Sequence, residues 1–136
     1  MKFEDALNQG IVKKVPIDIL RSKSLVKSSE QAIHTAKIIP LQETTLKTIF
    51  RELYEGLREY CEAIGFAKGY KFSDHESITS FLSEILNENA IALKFDRYRK
   101  LRNGINYYGN SIEENTAKEA LKDIPDLISK LKPQIK

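Results

Sequence analysis

The chain has 136 residues, enough for one domain with a sizeable core and too few for two catalytic lobes. Hydrophobic residues at 41% and charged residues at 30% place it with folded globular proteins rather than disordered ones. A formal net charge of +3 suits an anionic partner without requiring one, and the single cysteine, Cys61, excludes a disulfide framework and a cysteine-based zinc site.

In chain order, Phe3 to Asn8 reads as a short helix stopped by Gly10. Pro16 predicts the first turn of a long helix, which Pro40 ends because the residue before a proline avoids the helical region. A second long helix begins near Thr44 or Thr45. Its apolar stripe is Leu46, Phe50, Leu53, Leu57, Tyr60 and Ile64, and Gly65 and Gly69 end it. Cys61 lies within this pattern and reads as packing. Ser73 and Glu76 have capping-box spacing and open a third helix, with Ile78, Phe81, Leu82 and Ile85 inward. A fourth helix carries the run from Arg97 to Gly109. A second capping box, Ser111 to Glu114, opens a fifth helix that buries Ala117, Ala120, Leu121, Ile124, Leu127 and Leu131. Pro125 kinks or restarts that helix and Pro133 closes the fold. No period-two run signals a strand. The expectation is an all-α fold in a single domain, 1–136. Its form is a five-helix up-and-down bundle, four long helices plus a short N-terminal one. No apolar run approaches the roughly 18 residues of a membrane span, and residues 1–5 carry no signal-peptide core. The expectation is cytoplasmic residence without membrane attachment.

The chemistry concentrates on the fourth helix. At about 100° per residue, Tyr98, Leu101, Ile105 and Tyr108 fall on one side, and Arg99, Arg102, Asn103 and Asn106 on the neighbouring side. Guanidinium forks match phosphate oxygens, and amides match base edges or a 2′-hydroxyl. Tyr107 and Tyr108 add stacking faces and phenolic protons. His75 falls in the first turn of the third helix, where the dipole disfavours imidazolium and leaves a neutral ring able to accept or pass a proton. The competing account is a solvated helix face and a locally bonded histidine. A glycine-rich phosphate loop, an HExxH pair and a GxSxG elbow are all missing, so no metal or cofactor is expected.

The segment Arg102-Asn103-Gly104-Ile105-Asn106-Tyr107-Tyr108-Gly109 resembles the signature helix of HEPN domains, small helical bundles whose pattern is an Arg, commonly followed by Asn, Asp or His, with a His four to six residues after the Arg. The run from Leu53 to Phe66, followed by Ser73-Asp74-His75-Glu76-Ser77, is similar to that family's second long helix and the start of its third. The resemblance covers about residues 44 to 131. It implies a bundle fold and either metal-independent RNA cleavage at a homodimer cleft, or a role without cleavage, as the helical partner of a small nucleotidyltransferase in a toxin–antitoxin pair or as a binder of nucleotides and RNA. Arg102 and Asn103 match the motif, but Tyr107 stands where the family has its His. A phenol, with pKa about 10, is a poorer base at neutral pH than imidazole by roughly three units, or about 4 kcal/mol. Positions 102 and 107 are about 140° apart on an ideal helix. This predicts that Arg102 and Tyr107 share a pocket only when two antiparallel copies meet.

The leading expectation is a HEPN-type domain binding RNA or a nucleotide at a homodimer cleft, with weak metal-independent ribonuclease activity. Its catalytic candidates are Arg102, Tyr107 and His75, and its binding candidates are Arg99, Asn103, Asn106 and Tyr108. The alternatives are an active toxin-type ribonuclease, and a non-catalytic helical partner of a separate nucleotidyltransferase antitoxin.

Overall fold

A computed structural model describes residues 1–135. The described residues are mostly helical, with six α-helices and one two-stranded sheet among them. In order these are α1 (Phe3–Asn8), β1 (Val12–Lys14), α2 (Ile19–Ile38), α3 (Leu46–Lys68), β2 (Tyr70–Phe72), α4 (Glu76–Ser80), α5 (Asn89–Tyr108) and α6 (Glu114–Leu131). A 3-10 turn, Glu43–Thr45, leads into α3; a π-helical turn, Phe81–Ile85, extends α4; and a second 3-10 turn, Lys132–Gln134, follows α6. No helix of the described residues is long and apolar enough to cross a membrane.

Helix α3 is the hub, packing on α2, α5, α6 and β2. Its stripe is wider than the spacing suggests, with Ile49, Tyr54 and Cys61 buried beside Phe50, Leu53, Leu57 and Ile64. Small residues bring α2 close: the Ser22 hydroxyl donates to the Ala63 carbonyl at 2.7 Å and the Ser29 hydroxyl to the Gly56 carbonyl at 2.6 Å. Helix α5 lies antiparallel to α3, as the ring pairs Phe50–Tyr98 and Tyr54–Phe95 show, with centroids 6.0 and 5.7 Å apart.

Several expectations are corrected. A sheet exists, pairing Val12 with Phe72, Lys13 with Lys71 and Lys14 with Tyr70 in antiparallel register. Three-residue strands are too short to display an alternation. Pro16 does not open α2. The helix begins at Ile19 with Asp18 accepting the Arg21 N–H, because the chain before it stays extended, bonding Val15 N–H to the Gly69 carbonyl. Neither capping box forms as spaced. Asp74, not Ser73, accepts the Ser77 N–H, while the Ser73 hydroxyl donates to Ile11; no side chain caps α6 at Glu113. Gly65 lies inside α3, against the Phe72 ring, and Gly69 alone makes the left-handed cap, φ 88°. The third helix is a short α-turn followed by a π-turn, which rotates Ile85 out to 37% exposure. Pro125 does not restart α6, which runs continuously through it.

Candidate functional site

Where α4 begins, the chain leaving β2 crosses the face of α5 and leaves a cleft of about 370 Å³. Ser73, Asp74, His75, Glu76, Arg99, Arg102, Asn103 and Tyr107 line it. The structure therefore brings His75, from the chain segment just before α4, beside Arg99, Arg102, Asn103 and Tyr107 of α5. Asn106 and Tyr108 lie outside: Asn106 accepts a hydrogen bond from Arg51 Nε at 2.8 Å, and Tyr108 is 80% exposed rather than part of the buried stripe.

The basic run on α5 is largely compensated. Arg99 bonds Asp96 through Nε at 3.0 Å and through a terminal nitrogen at 2.8 Å, and Lys100 reaches the same carboxylate at 3.1 Å. Arg97 pairs with Glu119, and Lys94 with Asp123, both acids contributed by α6. Arg102 differs. Among the described residues no carboxylate forms an ion pair with it, and its one side-chain hydrogen bond is a long 3.4 Å contact with Asn103 Oδ1. Its guanidinium carbon lies 5.9 Å from the ring centroids of both Tyr54 and Tyr107. Two aromatic faces at that range hold the cation weakly and orient it. Arg102 and Tyr107 thus share one cleft within one chain, because the long arginine stem covers the angle that separates their backbone positions. The argument from 140° of separation to a second subunit is overturned.

Beneath the cleft the Tyr54 hydroxyl, on a residue only 1% exposed, lies 2.9 Å from His75 Nδ1. Burial lowers the His75 pKa to about 4, helped by Arg58, Arg102 and Arg99 and opposed by Asp74. The ring is therefore uncharged at neutral pH through burial and neighbouring guanidiniums rather than through a place in the first helical turn, since His75 precedes α4. Burial also pushes the Tyr54 hydroxyl pKa well above its ordinary range. Arg58 is bridged to Glu55 and Glu62 on its own helix. Tyr54 and Asp74 escaped the sequence reading, although Tyr54 stands one turn before Arg58 on α3 and its hydroxyl on a core face needs a partner.

A larger hollow of about 710 Å³ opens on the other side of α5, lined by Arg97, Lys100, Leu101, Gly104 and the loop from Asn110 to Glu113. Its cations are already bonded to carboxylates, so the smaller cleft is the better anion site. Gly104 serves packing: a Cβ there would meet the Asn110 side-chain nitrogen at 2.8 Å. Among the described residues no three His, Cys, Asp or Glu side chains gather as a metal site. Compared with protein-family models, curated proteins and solved structures, the chain matches none of them.

Proposed function

We propose that this is a HEPN-type helical domain that binds RNA or a nucleotide by a phosphate group in the cleft between α4 and α5. One observation carries the reading: Arg102 is a half-buried guanidinium with no carboxylate partner among the described residues, set beside a neutral histidine, an amide and an exposed tyrosine. At 4 Å and an effective dielectric of 20, two opposite unit charges attract by about 4 kcal/mol. A phosphate approaching Arg99 meets Asp96 at the same time, whereas at Arg102 the attraction is not offset by a bonded carboxylate. Tyr107, 70% exposed on the rim, offers a face on which a base can stack. The family resemblance adds a second copy across this cleft. Tyr107 and Tyr108 present exposed aromatic surface beside it, and a monomer in sedimentation at micromolar concentration removes the dimer from the reading.

Fluorescence anisotropy with a short single-stranded RNA tests binding. Arg102→Ala weakens it by about tenfold or more, the loss expected for a charge-assisted contact, and Arg99→Ala weakens it by about threefold at most. Equal losses in both variants count against the cleft.

A second reading, metal-independent RNA cleavage, draws support from His75 standing in the same cleft as Arg102. It requires cleavage of mixed RNA in EDTA that disappears in Arg102→Ala and in His75→Gln.

A further inference from the structure

The contact between Tyr54 and His75 permits two arrangements, since a phenol both donates and accepts and a neutral imidazole carries one nitrogen of each kind. Burial separates them. The Tyr54 hydroxyl keeps its proton because desolvation opposes the phenolate more strongly than Arg102, Arg58 and Arg99 favour it. Among the described residues, His75 Nδ1 is the only hydrogen-bond partner of that hydroxyl. With the proton on Nδ1 the phenol oxygen would accept it, and the phenolic O–H, a buried donor, would be left without an acceptor among the described residues, which folded proteins avoid.

We infer that Tyr54 is a positioning residue that locks His75 with its proton on Nε2, so the histidine meets a phosphate in the cleft as a donor and does not act as a base. This rests on the binding reading above. Tyr54 lies beneath the cleft while His75 lines it, so Nδ1 points inward and Nε2 belongs to the ring edge nearer the opening. The donors that converge are then Nε2–H and the Arg102 guanidinium, with the Asn103 amide and the Tyr107 hydroxyl beside them. A base edge carries donors and acceptors together, whereas a phosphate oxygen only accepts, so Nε2–H and the guanidinium, which only donate, favour phosphate. Cleavage of RNA needs a lone pair to take the 2′-hydroxyl proton. In the locked ring the Nδ1 lone pair is held by Tyr54 and Nε2 has none. The charged groups facing the ring are Arg58 from α3, Arg99 and Arg102 from α5, and Asp74 from its own segment. Burial first, and then the three cations, oppose imidazolium and keep the locked form neutral.

The terminal phosphate of a nucleotide and the internal phosphodiester of RNA share this chemistry, and the experiment separates them. Two-bond proton–nitrogen spectra of the intact labelled chain read the tautomer directly. The expected result is a bare Nδ1 and a protonated Nε2 from about pH 5.5 to 8. In Tyr54→Phe the lock is lost, and the two tautomers mix. Inorganic phosphate, adenosine 5′-monophosphate and a short oligouridylate are then titrated against wild type, Tyr54→Phe and His75→Gln. Tyr54→Phe weakens whichever probe binds by about threefold to tenfold, the loss of one oriented hydrogen bond. His75→Gln, whose terminal amide nitrogen can donate in place of Nε2–H, also weakens binding but by no more than Tyr54→Phe does. Preference for the mononucleotide assigns a terminal phosphate, and preference for the oligomer assigns an internal one; each supports the inference. A wild-type ring protonated on Nδ1, or a tautomer unchanged in Tyr54→Phe, overturns it. Should Tyr54→Phe fail to fold, the wild-type spectrum alone decides. If no probe binds wild type while the ring carries its proton on Nε2, the binding reading falls and the lock stands.

Discussion

The His75 ring couples protonation to folding. In an unfolded chain an imidazole titrates near 6.5, whereas here burial and the Arg58, Arg102 and Arg99 guanidiniums hold it at about 4. Between those values the unfolded state binds the proton that the folded state refuses, so stability rises with pH. The contribution is fully present above the unfolded value and is lost as pH falls from about 6.5 toward 4. With allowance for solvent screening of a half-buried group, the loss between about pH 7 and pH 5 is about 1–2 kcal/mol. Urea titrations at the two pH values measure it. The difference shrinks in His75→Gln; an equal pH dependence in wild type and variant would place the sensitivity elsewhere. Asp96, Glu119 and Asp123 contribute below this window. Each has its pKa lowered by bonded cations, against the opposing effect of desolvation, so each stabilises the fold above the ordinary carboxylate range and stops doing so in stronger acid.

At the scale of elements, the α2–α3 contact makes the sharpest claim. A mid-helix glycine replaced by alanine ordinarily gains about 1 kcal/mol from helix propensity. At Gly56 a Cβ would stand 2.8 Å from Ile33 Cδ1 and 3.2 Å from the Ser29 carbonyl oxygen. The isoleucine tip can turn aside, but the carbonyl belongs to α2's backbone, so the helices must separate and strain the Ser29 hydrogen bond. Overpacking of this kind costs about 1–3 kcal/mol. Gly56→Ala therefore destabilises, opposite in sign to propensity alone, and a higher urea midpoint would show that the helices part freely. The long helices were legible because Leu46, Phe50, Leu53, Leu57 and Ile64 recur at helical spacing and Pro40 and Gly69 punctuate them. The short elements were not. The pairing of Val12 with Phe72 joins residues far apart in the chain, and no local pattern announces such a partner. The π-turn at Phe81–Ile85 shares its apolar residues with an ordinary helix and differs only in winding.

Across the whole molecule, the charge seen along the sequence and the charge offered to a ligand differ. Five basic residues crowd Lys94 to Arg102 with only Asp96 among them, so charge along the sequence does not by itself separate Arg99 from Arg102. Folding lays α6 alongside and brings Glu119 and Asp123 to Arg97 and Lys94, while Asp96 takes Arg99 and Lys100. Sequence reasoning singled out Arg102 through the family motif and His75 by residue type, and had no means of telling the cation paired with a carboxylate from the one that, among the described residues, has none. The distinction is measurable through salt. A phosphate held on single-stranded RNA by a free cation releases condensed counterions and contributes about −0.7 to the slope of log affinity against log salt. A cation already bonded to a carboxylate makes little contribution, since that carboxylate must first be displaced. Arg102→Ala should thus flatten the slope by about 0.7, while Arg97→Ala and Arg99→Ala leave it nearly unchanged even where they shift affinity. Anisotropy titrations across several salt concentrations give the three slopes. Equal flattening in all three would mean that the acids of α5 and α6 release their partners on binding, and that RNA contacts the whole basic face of α5 rather than the cleft beside His75.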